Sequence, residues 1–204
     1  MPIITKKDYL LIVVIGLLFG LLLIPVLKNI EFSFFEINLK NSLLVVLLFT
    51  VIAPVGLFII SLIGRFIPIV VQFAKFASIG GLNTLLDLGV LNLLIFFSGF
   101  AAGYWYSLFK AVSFIVANTN SYFWNKYWTF GSSESANVKE FSQFLTVSAV
   151  GFGFNVATAV LVVNLIGPVG GISLIVWANI GAISATIISL IWNFMGYKFF
   201  VFKK

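Results

Sequence analysis

Six long apolar segments dominate this chain and decide what it can fold into. They fall at about 9–27, 42–63, 73–97, 105–124, 143–166 and 173–195. A helix needs roughly 20 mostly apolar residues to cross the hydrocarbon core of a bilayer, and each segment approaches that length. Because 61% of the residues are hydrophobic and the mean hydropathy is +1.16, a soluble globular domain is excluded. The sequence therefore predicts an all-α integral membrane protein with six transmembrane helices.

Basic residues between the segments predict the orientation. One side of the predicted membrane carries four basic groups, whereas the other holds a charge-balanced segment, residues 28–41, and two connections without charge. The four groups are Lys6 with Lys7, Arg65 with Lys75, Lys126 with Lys139, and Lys198 with Lys203 and Lys204. Cytoplasmic loops carry an excess of Lys and Arg, so both termini of this multi-pass protein are expected on the cytoplasmic side of the cytoplasmic membrane. The 28–41 segment is expected to lie along the outer interface.

Few side chains in this sequence suit catalysis. Histidine and cysteine are absent, which removes the commonest general base and the thiol nucleophile. There is no Walker loop, no dinucleotide fingerprint and no cluster of carboxylates. We therefore expect no enzyme activity, no metal and no cofactor. The net charge of +6 is explained by membrane orientation and anionic lipid head groups, so no nucleic-acid partner is expected.

Asp87 and Lys110 stand out because each lies inside an apolar segment. An ionisable side chain near the bilayer centre costs ~2.5–3.5 kcal/mol on insertion scales, and such residues usually pair or line a polar pathway. One interpretation is a buried ion pair that holds two helices in register. The other is a pathway for a polar substrate, in which both side chains bind it. The sequence leaves both open.

Two similar halves follow the first hairpin. Phe73–Ser78 is matched by Phe141–Thr146, and Lys126–Phe130 by Lys198–Phe202. Each half has an aromatic entry, two helices joined by a short outer loop, and a basic-aromatic exit. The sequence thus predicts a hairpin at 1–71 and a four-helix bundle at 72–204. That bundle is built from two parallel repeats, at about 73–130 and 141–202, related by an axis along the membrane normal.

Polar residues on the predicted helices supply further binding candidates. Asn120, Asn155 and Asn193 lie on stripes of small and polar residues, which serve equally well for helix packing. The exit motifs place Asn125, Lys126 and Trp128, and then Lys198, at the cytoplasmic interface, where aromatic residues often act only as anchors. The alternative is a phosphate-binding surface, with the ammonium supplying charge, the amide hydrogen bonds, and the rings stacking on a sugar.

The pattern resembles the GtrA-like family over about residues 72–204. The resemblance rests on Phe76–Asp87 (FASIGGLNTLLD) opening the first repeat and on Asn125–Phe130 (NKYWTF) closing it. It implies a four-helix membrane domain that moves polyprenyl-phosphate-linked sugars in cell-surface polysaccharide synthesis, or that assists the responsible glycosyltransferase. This sequence departs from the pattern by carrying the 1–71 hairpin and no catalytic domain. Its second exit has Tyr197 and Phe200 in place of the amide and indole, so binding roles are assigned mainly to the first exit.

Two functions follow as hypotheses. The first is translocation of a polyprenyl-phosphate-linked sugar, or assistance to it, with that sugar, membrane lipid and a membrane-associated glycosyltransferase as partners. The second is a non-transporting anchor or scaffold for a polyprenyl-phosphate glycosyltransferase, which needs the packing stripes but no pathway. A small-molecule or ion transporter is a weaker reading, because six short helices offer limited room.

The charge asymmetry gives a testable topology. Because the chain has no cysteine, single cysteines introduced at Lys6, Ser133 and Lys204 report their own location. We expect all three to resist impermeant thiol reagents in intact cells and to react after permeabilisation. Labelling of the Ser133→Cys variant from outside would contradict the six-span topology.

Overall fold

The structure, a computed structural model, describes residues 4–30 and 37–203, and these are almost entirely helical. Within the described residues, six α-helices occupy the six apolar segments, and three short π-helical segments follow the fourth, fifth and sixth. The α-helices are α1 (Lys6–Ile30), α2 (Leu39–Gly64), α3 (Pro68–Ser98), α4 (Gly103–Trp124), α5 (Val138–Val160) and α6 (Leu174–Gly196). The π-helical segments are π1 (Asn125–Thr129), π2 (Leu161–Ile166) and π3 (Tyr197–Val201). The predicted all-α class is confirmed. Most of the segment predicted at the outer interface, residues 31–36, lies outside the described residues.

Among the described residues, five helices are long and apolar enough to cross a membrane. These are α1, α2, α3, α5 continued through π2, and α6 continued through π3. The exception is α4, which carries Lys110 and a run of Asn, Thr and Ser at 118–121 that lowers its hydropathy. The chain is therefore a multi-pass membrane protein, whereas the sixth span and the orientation stay predictions.

Local sequence signals set the helix ends. Asn38 and Asn137 act as N-caps, accepting hydrogen bonds from the backbone N–H of Asn41 at 2.9 Å and of Glu140 at 2.8 Å. Pro68 occupies the first turn of α3, where its missing N–H costs nothing. At the other end of α3, Gly99 adopts φ 74°, the left-handed conformation that commonly ends a helix.

Two compact units make up the chain, Met1–Gly131 and Ser132–Lys204. In the first unit α1 pairs with α2, α3 pairs with α4, and both α1 and α2 pack against α3. Its core includes Ile12 and Ile15 of α1, Ile79 and Leu82 of α3, and Trp128. In the second unit α5 pairs with α6. The predicted domains at 1–71 and 72–204, and the symmetry between the two repeats, stay predictions.

Both exit motifs form the same local structure. The first is π1 and the second is π3, and each ends in a hydrogen bond that spans five residues. Phe130 N–H donates to the Asn125 carbonyl at 2.8 Å, and Phe202 N–H donates to the Tyr197 carbonyl at 2.8 Å. π-helical turns are rare in proteins, and those that occur often lie at functional sites. The exit motifs thus share a backbone geometry as well as a residue pattern.

Glycines in α1 allow a close crossing with α2. A Cβ added at Gly20 would lie 2.7 Å from Val46 Cα, and one added at Gly16 would lie 2.5 Å from the Phe49 carbonyl oxygen. Beside this contact the rings of Phe19 and Phe49 pack with their centroids 4.7 Å apart. Small residues at a crossing let membrane helices approach and gain packing energy, which explains the tight hairpin.

Gly20→Ala should therefore separate the two helices. Overpacking of this kind costs ~1–3 kcal/mol, so we expect a fall of several degrees in the melting temperature measured in detergent. The matched control is Gly56→Ala in α2, where an added Cβ meets nothing within 4 Å. Alanine is the better helix former, so the control should melt at the same temperature or higher. Equal melting temperatures for both variants would show that the crossing is not tight.

Candidate functional site

The two charges predicted at membrane depth form an ion pair between α3 and α4. Lys110 Nζ contacts Asp87 Oδ2. Ser113 Oγ, one turn further along α4, donates a hydrogen bond of 2.6 Å to Asp87 Oδ1, and Ser113 is fully buried. Each carboxylate oxygen therefore has a donor, as a carboxylate in apolar surroundings requires. The pairing considered from the sequence is present, whereas the binding role stays a prediction.

This ion pair is not sealed. The Asp87 side chain is 22% exposed and the Lys110 side chain 43% exposed. The long apolar stem of a lysine lets its ammonium move while its backbone stays fixed. A polar ligand at this part of the α3–α4 surface could therefore contact both the carboxylate and the ammonium.

An amide pair continues the same interface toward the start of α3. Asn120 Nδ2 donates to Asn83 Oδ1 at 2.7 Å. Asn83 lies four residues before Asp87, so the two polar contacts are separated by ~6 Å along the helix. The Asn83 Nδ2 atom is buried and has no hydrogen-bond partner among the described residues. The α3–α4 contact thus carries an amide pair and an ion pair in succession.

The three candidate residues of the first exit motif are buried rather than displayed at the surface. Asn125 and Lys126 have no exposed surface, and Trp128 is 7% exposed. Asn125 Nδ2 donates to the Ser121 carbonyl at 2.9 Å. Lys126 Nζ lies 5.9 Å from the ring centroids of both Tyr122 and Tyr127. Because Lys126 is fully enclosed, the structure does not expose its ammonium to a head group at the surface.

A buried carboxylate that sequence reasoning missed, Asp8, organises the start of α1. Asp8 Oδ1 accepts a hydrogen bond from Trp128 Nε1 at 2.8 Å and contacts Lys75 Nζ in a second ion pair. Asp8 Oδ2 accepts from both the N–H and the hydroxyl of Thr5, each at 2.8 Å. Lys75 Nζ also lies 5.5 Å from the ring centroid of Trp128. The network therefore fastens α1 to α3 and to the exit motif.

A groove lies between α1 and the end of α4. Its volume is ≈ 320 Å³. One of its lining residues is Lys7, which the sequence analysis did not assign a binding role. The lining residues are Lys7, Leu11, Asn120, Phe123, Trp124, Tyr127 and Trp128. The groove therefore brings two of the predicted site residues, Asn120 and Trp128, to one surface.

The second unit holds the remaining candidates. Asn155 on α5 and Lys198 in π3 are partly buried, and Lys198 Nζ lies 5.8 Å from the Phe194 ring centroid. The Asn193 Oδ1 atom is buried without a hydrogen-bond partner among the described residues, and it fills the space beside Gly151. Ser148 Oγ and the hydroxyl of Tyr197 share a hydrogen bond of 2.6 Å. Six of the nine candidates thus belong to the first unit and three to the second.

Comparisons with known proteins agree with this architecture. A family model described as "GtrA/DPMS, transmembrane domain" matches residues 75–202. A curated relative is the "Uncharacterized membrane protein YngA" of Bacillus subtilis (strain 168), which is 31% identical over 142 residues. That alignment covers 68% of this chain and 86% of the relative. No solved structure matches the chain. The match spans both exit motifs and the two helices before each, so the predicted resemblance is confirmed and the chain belongs to the GtrA/DPMS transmembrane-domain family.

Proposed function

We propose that this protein translocates a polyprenyl-phosphate-linked sugar across the cytoplasmic membrane, or assists that translocation, in the synthesis of cell-surface glycans. Membership of the GtrA/DPMS transmembrane-domain family supports a role in handling such lipids. In this proposal both termini are cytoplasmic, where the lysine-rich ends of the helices meet the anionic leaflet. A membrane-associated glycosyltransferase supplies the sugar lipid.

The observation that carries the proposal is the partly exposed ion pair of Asp87 and Lys110. Replacing a buried ion pair by apolar side chains of similar volume is often neutral or stabilising, so packing alone gives little reason for charges here. In a membrane the reason is weaker still, because each charge adds an insertion cost. A pathway for a phosphate-linked sugar explains the charged residues, since such a substrate needs ionic and hydrogen-bonding groups along its route through the hydrocarbon.

The amide pair supports the same proposal. Asn83 and Asn120 present carboxamide groups about one helical turn from Asp87, and the buried Nδ2 of Asn83 has no hydrogen-bond partner among the described residues. A sugar offers several hydroxyls that both donate and accept hydrogen bonds, so it matches such groups. Head-group roles for Asn125, Lys126 and Trp128, and for Asn155, Asn193 and Lys198, remain part of the proposal.

A non-transporting anchor or scaffold for a polyprenyl-phosphate glycosyltransferase is the second candidate. It is favoured by the complete hydrogen bonding of Asp87, whose two oxygens are occupied by Lys110 and Ser113. A contact of this kind fastens α3 to α4 without any ligand. The two candidates differ in what a loss of the carboxylate does.

Asp87→Asn separates the two roles of the ion pair. If the pair lines a pathway, we expect the rate of transfer of a fluorescent polyprenyl-phosphate sugar in proteoliposomes to fall at least about tenfold, the loss of one charged hydrogen bond. The melting temperature in detergent should change little, because asparagine still accepts from Ser113 and the partly exposed Lys110 can reorient. If the pair only fastens helices, the melting temperature should fall and any residual transfer should fall with it.

Two further variants sharpen that comparison. Ser113→Ala removes the hydrogen bond of an uncharged donor to the Asp87 carboxylate and keeps both charges, so it measures the structural share, ~1.5–3 kcal/mol. The double variant Asp87→Lys with Lys110→Asp keeps an ion pair but places the positive charge on α3 and the negative charge on α4. Normal transfer by this double variant would contradict a directional pathway through the pair and assign the pair a structural role in helix packing.

A further inference from the structure

We propose that the groove between α1 and α4 binds the phosphate-linked sugar head group of a lipid carrier, with Lys7 as the residue that binds the phosphate. The inference rests on the proposed function, because it names the substrate site for the same lipid. It adds α1, which precedes the family match at residues 75–202, to the binding machinery. The head group is the only part of the carrier assigned to the groove.

The groove is built from two matched helix faces. On one side, Asn120, Phe123 and Trp124 of α4 are followed by Tyr127 of π1, and their spacing of three, one and three residues places them on one face. On the α1 side Lys7 and the apolar residue one turn later form the opposite wall. The volume of ≈ 320 Å³ lies at the small end of the ~300–1,000 Å³ typical of ligand sites. It suits a sugar phosphate and leaves the prenyl chain in the bilayer.

Lys7 is the accessible cation of this groove. Its side chain is exposed, and it has no ion pair among the residues that the structure describes. The neighbouring carboxylate, Asp8, does not neutralise it, because Asp8 is buried and holds Lys75 and Trp128 instead. An ammonium that is exposed at the membrane surface and not neutralised attracts a phosphate through charge-assisted hydrogen bonds.

The remaining walls fit a sugar. Trp124, Tyr127 and Phe123 offer ring faces, and the Tyr127 side chain stays 47% exposed and so open to a ligand. Asn120, the lining residue furthest from the end of α4, adds a carboxamide oxygen and nitrogen for hydroxyl groups. Tryptophan and tyrosine also favour the head-group region, which is the depth at which a prenyl-phosphate sugar carries its phosphate. Charge, rings and amide thus occur in one groove.

Binding can be measured on the full-length protein in detergent with a short-chain prenyl-phosphate glucose as probe. We expect Lys7→Gln to weaken binding about ten- to a hundredfold, since a charged hydrogen bond is lost. Lys7→Arg should retain most of the affinity. Lys6→Gln is the matched control, because Lys6 is an equally exposed lysine on the same turn that does not line the groove. Tyr127→Leu should weaken binding without altering the charge.

Several outcomes overturn the inference. Equal losses from Lys6→Gln and Lys7→Gln would assign the effect to general surface charge. Equal competition by phosphatidylglycerol would show a site for any anionic lipid, and no binding of the probe would remove the site altogether. Failure of the proposed function looks different, because the probe would bind in a Lys7-dependent way while proteoliposomes showed no translocation. If the Lys7→Gln variant bound the probe unchanged and the protein translocated it normally, the proposed function would stand and this binding site would be rejected.

Discussion

A carboxylate can be buried in this protein only where donors surround it, and the first unit depends on how Asp8 meets that condition. Asp8 is 6% exposed and accepts from Thr5, Lys75 and Trp128. Removing one partner of a buried ion pair leaves an uncompensated charge, at a cost of ~3–5 kcal/mol. The three elements that supply those partners are consequently held together: the start of α1, the first turns of α3 and the exit motif after α4.

This network also decides which charges remain available. Lys75 is neutralised by Asp8, and Lys126 is enclosed beside tyrosine rings, so neither presents an open ammonium to the membrane surface. Lys7, on the same turn as Asp8, faces the groove instead. Further along α3, Asp87 forms a second ion pair with Lys110, and this pair is more exposed than that of Asp8 with Lys75. The protein thus uses one sealed ion pair for assembly and keeps a second one accessible.

The sequence predicted what depends on neighbours along the chain. Apolar length predicted the helices. Charges interrupting that length indicated a pair of Asp87 with Lys110, 23 residues apart, as one of two interpretations. The importance of Asp8 was not predicted, because its partners lie 67 and 120 residues away and its own surroundings look like an ordinary polar flank. The burial of Lys126 was not predicted either, since the sequence placed this lysine at the membrane interface, as an anchor or as a phosphate-binding residue.

The π-helical segments π1 and π3 make the ends of α4 and α6 sensitive to the number of residues that they contain. An α-helix turns by about 100° per residue, whereas a π-helical turn accommodates one extra residue before the chain resumes its direction. In the first unit that extra residue sets the angular phase of everything after Trp124, including the indole that reaches Asp8. Deleting one residue from this turn would rotate the indole away from α1 while leaving composition and hydropathy nearly unchanged. Related chains are therefore expected to tolerate substitutions in this segment more readily than insertions or deletions.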